Sequence, residues 1–447
     1  MKLFWSNEGL GVIRLKQVFM AALAAVVGLA SPALAQQPEE EIWIHAGRLI
    51  ADAGKPARGP STIVVRGDRI AAINDGFTET AGNVRVIDLR DKTVLPGLID
   101  SHVHLDSDAG GVEAAMEGLT LSPAEQALNA YVNGMKTVRA GFTTVRNLGD
   151  RDGATLALRN AVKAGKVMGP RIVDAGRSIS GTSGHMDGAL GFRSELRPHF
   201  DLAGNTCNGA EDCRRAARLQ IGRGVDVIKF ATTGGVNSRI GAGLGQQMFE
   251  DEARALVETA HMFGKKVAVH AHGADGVALA IRAGADSIEH GTILTDELVD
   301  LWARERTYYV PTLSTVNGYK ARLAANADAY EPDVLAKIRW RIDITGKSLQ
   351  RLVPRGVPIA FGTDAGVSKH GRNADEFELM VANGMTPRTA LIAATTNAAD
   401  LLGLSDEIGT IAPGKSADVI AVAGDPLSDV TVLEDMAFVM ARGQVVD

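Results

Sequence analysis

Two histidines, His102 and His104 in LPGLIDSHVHL, stand two residues apart where an apolar run closes. On a strand, the side-chain period of two puts both imidazoles on one face, about 6.6 Å apart along the backbone, so their nitrogens can converge on one ion. Other residues able to do chemistry close further apolar runs: Asn147 in TTVRNLG, Lys229 in VDVIKFATT, His270 and His272 in KVAVHAHG, His290 in DSIEHG, Thr312 in YYVPTL and Asp364 in IAFGTDAG. His270 and His290 are candidates for a second ion. Spacing alone leaves His270 and His272 equivalent as ligands, because both face the same way. Asp364 offers a carboxylate, either as a ligand or as the general base toward an attacking water.

Lys229 is the unusual member of this set. A cation at the end of a buried strand is costly, and burial lowers the lysine pKa until a neutral amine is exposed. Such an amine adds carbon dioxide to give a carbamate, whose two oxygens can bridge divalent ions roughly 3.5–4 Å apart. The competing assignment is a lysine that reaches solvent or pairs with an acid.

The runs that carry these residues are short and apolar, and amphipathic helical patterns such as EDEARALVETAHMFG and DGVALAIRAG lie between several of them. With RIVDAG there are eight strand candidates, and strand–helix alternation of that kind predicts an α/β fold, a (β/α)8 TIM-type barrel over residues 96–404. Polar residues at strand C-termini are where such barrels assemble active sites. Left buried and unpaired, each would cost about 1–3 kcal/mol, a cost that a shared ligand removes. The two chain ends differ from this middle. EIWIHAGRLI, STIVVRGDRIAAIN and VRVIDLRDKTVLPG, within 36–95, predict hairpins with Gly-Asp and Asp-Lys turns, and 405–447 repeats the pattern in GTIAPGKSADVIAVAG and AFVMARGQVVD. Pairing the two ends predicts one small β-sandwich with the barrel inserted between them.

Composition narrows the partners. Of 447 residues 5% are aromatic, and the net charge is −6. That disfavours stacking on bases and binding to phosphate backbones or anionic membranes, so a small-molecule partner is expected. Residues 1–35 are expected to be a signal peptide: Lys2, Arg14 and Lys16 lead, VFMAALAAVVGLA follows, and Ala33–Ala35 supplies a small-residue cleavage site. The expected mature chain starts near Gln36 and is periplasmic or secreted, with no stable membrane span. In an oxidising compartment the only two cysteines, Cys207 and Cys213, are expected to form a local disulfide. A zinc role for them is disfavoured, since no nearby residues complete a tetrahedral set.

LPGLIDSHVH, VIKFATTGGVNS, VAVHAHG, DSIEHG, GTDAG and GTIAPGKSADVIAV together resemble the amidohydrolase superfamily, from about Glu41 to Asp447. Within it the chain looks most like secreted binuclear zinc dipeptidases, prolidase-like (Xaa-Pro) and Xaa-Arg or Xaa-Lys enzymes, together with ochratoxinase-like amidases. The resemblance implies that His102 and His104 hold one Zn2+, that His270 and His290 hold the other, and that carboxylated Lys229 bridges them. It implies that Asp364 binds the first metal and carries a proton from the shared hydroxide to the leaving amine. It places His272, and His185 in SGTSGHMDG, in the substrate pocket. Ser183 stands where the family often has a second glycine, which puts only the local loop geometry in doubt. The implied activity is hydrolysis of dipeptides or N-acyl amino acids, and the implied assembly is a homo-oligomer. The alternative is a mononuclear deaminase or an imidazolonepropionase-like cyclic-amide hydrolase, against which Lys229 argues; an exported binding protein without chemistry is a further rival. For a substrate carboxylate, Arg239, Ser238 and Tyr319 are candidates by position, and for a basic substrate side chain Asp187, Asp375 and Glu376. His370 is a lesser candidate for substrate contact. His45, His199 and His261 are assigned to the small β domain, a Pro-containing loop and a helix face.

Overall fold

In β1 (Glu41–Leu49) every second residue is buried through Ile42, Ile44 and Ala46, as a strand with one wet face requires. The computed structural model describes residues 41–79, 84–109, 112–239 and 243–447; the expected signal peptide lies outside the described residues. β2 (Ser61–Arg66) and β3 (Arg69–Asp75) form a hairpin across the Gly67-Asp68 turn. The Asp91-Lys92 turn expected from the sequence is absent. β4 (Arg85–Pro96) runs through it as one strand, taking up the extra residues as a register shift opposite Ala46 and Arg48. Gly47 permits this: a Cβ there would lie 2.0 Å from the Arg90 carbonyl oxygen.

A single glycine separates β4 from β5 (Leu98–Val103). Then follow β6 (Phe142–Asn147), β7 (Arg171–Asp174), β8 (Val227–Ala231), β9 (Lys266–Ala271), β10 (Ser287–His290) and β11 (Tyr308–Val310). They pair as two parallel arcs, β5-β6-β7 and β8-β9-β10-β11. Helices alternate with them, among them Ala154–Lys163, Ala210–Gly222, Glu250–Met262 and Ala274–Ala283, the last closed by left-handed Gly284. Buried on both faces, these strands read as near-continuous apolar runs, which is why they were visible in the sequence.

The eighth expected strand, IAFGTDAG, is not a regular strand. Pro358 has no N–H to give and Asp364 turns left-handed at φ 57°, so this stretch only bridges its neighbours. Tyr309 N donates to Pro358 O (2.8 Å), Ala360 N to Tyr309 O (3.0 Å), Ser101 N to Phe361 O (2.8 Å) and Asp364 N to His102 O (2.7 Å). Between the arcs on the other side, Asp226 N donates to Asp174 O and Ala231 N to Ile179 O.

From the far end of the chain come β12 (Val419–Val422), β13 (Met436–Ala441) and β14 (Gln444–Val445). The two chain ends pair as expected, in one seven-stranded sheet ordered β14-β13-β12-β4-β1-β2-β3. β4 is long enough to pair in parallel with β1 along most of its length and antiparallel with β12 at its end. Ile44, Ile63, Val65, Val94, Val419 and Met440 form its core. No helix among the described residues is long and apolar enough to cross a membrane.

Candidate metal centre

The polar residues that close the parallel strands meet in two groups. His102, His104 and Asp364 form one, and His270, His272 and His290 the other, each with donor atoms within 4.8 Å of one another. The groups adjoin: the rings of His102 and His290 are 5.2 Å apart between centroids. Asp364 Oδ1 lies 3.5 Å from His102 Nε2 and 3.3 Å from His104 Nε2.

Support for His102 comes from a residue the sequence reading passed over. Glu289, fully buried, faces His102 Nδ1 at 2.8 Å through Oε2. Its Oε1 accepts from Arg146 Nη2 (2.8 Å) and from Ser287 Oγ (2.6 Å), and Arg146 Nε is anchored on Ser101 O at 2.6 Å. Burial works to raise the Glu289 pKa, but the Arg146 charge and the His102 bond hold it down at about 2. An ionised Glu289 accepts a hydrogen bond from the Nδ1–H of neutral His102, leaving the Nε2 lone pair facing a carboxylate oxygen. Two such acceptors in contact call for a cation between them. The missed signal was a pair of opposite charges inside apolar runs, Arg146 in TTVRNLG and Glu289 in DSIEHG.

His290 is held in a similar way. The Thr312 hydroxyl donates to Pro311 O (2.8 Å), so at 2.7 Å its Oγ1 accepts a hydrogen bond from the Nδ1–H of His290, and Nε2 is left for an ion. His290, Thr312 and Asp364 all have positive φ (72°, 49° and 57°), three of the six described non-glycine residues that do. For a β-branched threonine this conformation is strained, and strain of this kind is held where the surroundings over-determine it. At His290 it also breaks strand alternation, so that Glu289 and His290 both serve the centre. His270 Nε2 lies 3.3 Å from Gly234 O, which leaves its Nδ1 for an ion. His272 Nδ1 bonds Thr292 Oγ1 at 2.7 Å. Burial above all holds His270, His272 and His290 well below the usual imidazole range and brings His102 to about 4, so all four rings are neutral and able to ligate.

Lys229 is 1% exposed, and its Nζ has no hydrogen-bond partner among the described residues. Burial brings its pKa down to about 8, against the opposing pull of Glu289 and Asp364. An orphaned, buried amine with a lowered pKa beside six ligand-type side chains fits a modified lysine that completes a metal site.

The centre opens into a cleft of about 960 Å3 that His104 and His185 help to line. The His185 ring lies against His270, tilted by 35° with centroids 4.2 Å apart, and its Nδ1 meets Ser238 Oγ. Lys337 Nζ, unremarked in the sequence, ties Gly235 O and Ser238 O. Ser238 and Arg239 line the cleft, with Arg239 Nε 3.3 Å from Glu331.

Several candidates for substrate contact have partners within the chain. The Tyr319 hydroxyl is buried and accepts from Asn237 Nδ2 at 3.3 Å. Glu376 is buried away from the cleft, accepting from the backbone N–H groups of Leu313 and Ser314. Asp375 pairs with Arg372, and Asp187, although on the cleft wall, is taken by Arg197 at 2.8 Å. His370 is buried behind His104, its Nε2 3.0 Å from the His104 carbonyl oxygen, and so acts on backbone rather than on substrate. His199 lies in the short helix Arg197–Asp201, not a loop. Cys207 and Cys213 are joined by a disulfide with a Cα–Cα distance of 4.9 Å.

Residues 93–446 match the amidohydrolase family. Ochratoxinase of Aspergillus niger is 32% identical over 413 residues, covering 88% of this chain and 83% of that protein. An imidazolonepropionase of Symbiobacterium thermophilum is 26% identical over 423 residues, covering 87% and 92%. Among solved structures, a Xaa-Pro dipeptidase with methionine bound in its active site superposes with a TM-score of 0.85 at 38% identity, covering 91% of this chain and 99% of that one.

Proposed function

The chain belongs to the amidohydrolase family, and we propose that it is a binuclear zinc hydrolase of dipeptides or N-acyl amino acids. One observation carries this reading: the orphaned Nζ of Lys229, buried beside two donor groups of three residues each. In the proposed site His102, His104 and Asp364 hold one ion and His270 and His290 the other. Lys229 joins them as a carbamate, formed when its neutral Nζ bonds to the carbon of carbon dioxide and loses a proton. The mononuclear alternative leaves Lys229 without a role.

Two bound zinc ions would supply Lewis acidity toward the scissile carbonyl and lower the pKa of the attacking water toward neutrality. The rest falls to the chain. Asp364, with Oδ1 3.5 Å from His102 Nε2 and 3.3 Å from His104 Nε2, is the carboxylate that would take a proton. It takes one from water as the carbonyl is attacked, then gives it to the leaving nitrogen so that the C–N bond can break. His272 and His185, kept neutral by burial, are the proposed donors to substrate oxygens.

The proposed body is a single (β/α)8 barrel, supported by the backbone hydrogen bonds that bridge the two arcs on both sides. Export is proposed on the leader-like residues 1–35, and the Cys207–Cys213 disulfide supports it. A homo-oligomer is proposed from the resemblance alone.

The test is metal counting by plasma emission, together with a panel of dipeptides and N-acyl amino acids assayed for the free amino acid. Two ions per chain and release of an amino acid are expected. One ion with full activity would overturn the binuclear site, and no turnover across the panel would overturn the substrate class.

A further inference from the structure

We propose that Arg177 is the side chain that receives a substrate carboxylate, an assignment that rests on the hydrolase reading above. Of the cations that line the cleft, most are already committed. Arg239 pairs with Glu331, and Arg322 donates to Gly366 O at 3.0 Å. Arg223 donates to Ala203 O at 2.8 Å, and Arg151 to Ala114 O at 3.0 Å with Asp106 at 3.9 Å. The guanidinium of Arg177 has neither an ion pair nor a hydrogen bond among the described residues, although it lines the same cleft as His104 and His185. Desolvation weakens its hold on its charge; Asp152, Asp106 and Asp150 act from a distance against this without closing on it.

The backbone makes room for it. A Cβ at Gly188, three residues past His185, would lie 3.0 Å from Arg177 Nη2 and 3.0 Å from the Phe200 ring. Any other residue at 188 would crowd the guanidinium. The next residue, Ser178, is fixed by its Oγ on Leu148 O at 2.8 Å, beside Gly149, which packs on the His104 ring. Arg177 is therefore tied to the wall that holds a proposed metal ligand. A desolvated guanidinium with its fork free suits bidentate capture of a carboxylate. That carboxylate belongs either to the leaving amino acid or to the acyl side of the substrate.

Three probes separate the sources: N-acetyl-L-methionine, with its acid on the leaving side; N-succinyl-L-methioninamide, with its acid on the acyl side; and N-acetyl-L-methioninamide, with neither. The holoenzyme and Arg177→Met are compared at equal metal content. Arg177→Met is expected to lower kcat/KM for one acid-bearing probe by about tenfold or more and to leave the neutral probe unchanged. Arg177→Lys, which keeps the charge but not the fork, is expected to recover part of the preference. Equal losses on all three probes, or no loss on either acid, would overturn the proposal. Equilibrium binding of free succinate and free L-methionine, read by calorimetry, separates the two readings: wild type that binds one of them but cleaves none of the probes contradicts only the hydrolase reading, whereas binding that Arg177→Met leaves unaltered, or no binding of either, contradicts the role of Arg177.

Discussion

Glu289 and Lys229 sit within one buried cluster, and the same low-polarity surroundings treat them in opposite ways. Glu289 is fully answered by His102, Arg146 and Ser287, so its charge fixes the tautomer of a proposed ligand. Glu289→Gln keeps the shape but removes that charge, and zinc affinity is expected to fall about 10–100-fold, measured by competition with a chelator. Unchanged affinity would show that Glu289 serves packing alone. Lys229 is unanswered, so Lys229→Met is expected to act in two directions at once. The metal-free protein should gain about 1–3 kcal/mol in denaturant titration, while the bound metal falls below two ions. A loss of stability in the metal-free state would mean that Nζ has a favourable partner. The proposed metal ligands were legible in the sequence because each closes an apolar run. Glu289 and Arg146 were not, because a charge inside such a run declares itself only when its partner strand is known. The left-handed turns at His290 and Asp364 were equally hidden, since neither residue type requires them.

Strands and helices in the middle of the chain were legible where burial on both faces writes a continuous apolar run, as in β8 and β9. Where pairing is decided by distant chain, legibility fails. Nothing local distinguishes the bulged Asp91-Lys92 step of β4 from a hairpin turn, because the close approach at Gly47 comes from another strand. The loop after β8 offers a test at this scale. A Cβ on Gly235 would lie 2.2 Å from the His185 ring, so Gly235→Ala must displace that ring. Turnover is expected to drop with metal content intact, since His185 lies outside both donor groups; retained turnover would remove His185 from the substrate pocket. Ahead of the helix Ala210–Gly222, the disulfide closes a short loop, and Cys207 N donates to Ser180 O in the segment leading to His185. Replacing both cysteines by serine is expected to cost about 2 kcal/mol, read as a lower Tm. An unchanged Tm would show that the loop holds its form without the bridge.

Across the whole molecule, stability should depend on pH through carboxyls buried behind the parallel strands rather than through the net charge. Asp174, at the end of β7, is fully buried. Its Oδ1 accepts from Gly176 N at 2.7 Å and its Oδ2 has no partner among the described residues. Burial, helped by neighbouring Asp150, raises its pKa from 3.8 to about 7. A carboxyl raised in the folded state stabilises the fold fully below its unfolded pKa, and that contribution is lost as the pH climbs through the folded value. The wild type should therefore shed stability between about pH 4 and pH 7 from this group. Asp150, raised to about 6 by burial first and by Asp106 second, contributes in the same sense. Asp174→Asn keeps the bond to Gly176 and cannot ionise, so its Tm should fall less than that of the wild type between pH 5 and pH 8. Measuring both proteins with the metal load held constant cancels the histidines, whose lowered pKa values act in the opposite direction. Parallel Tm curves for the two proteins would place the Asp174 charge in contact with solvent, contrary to its burial.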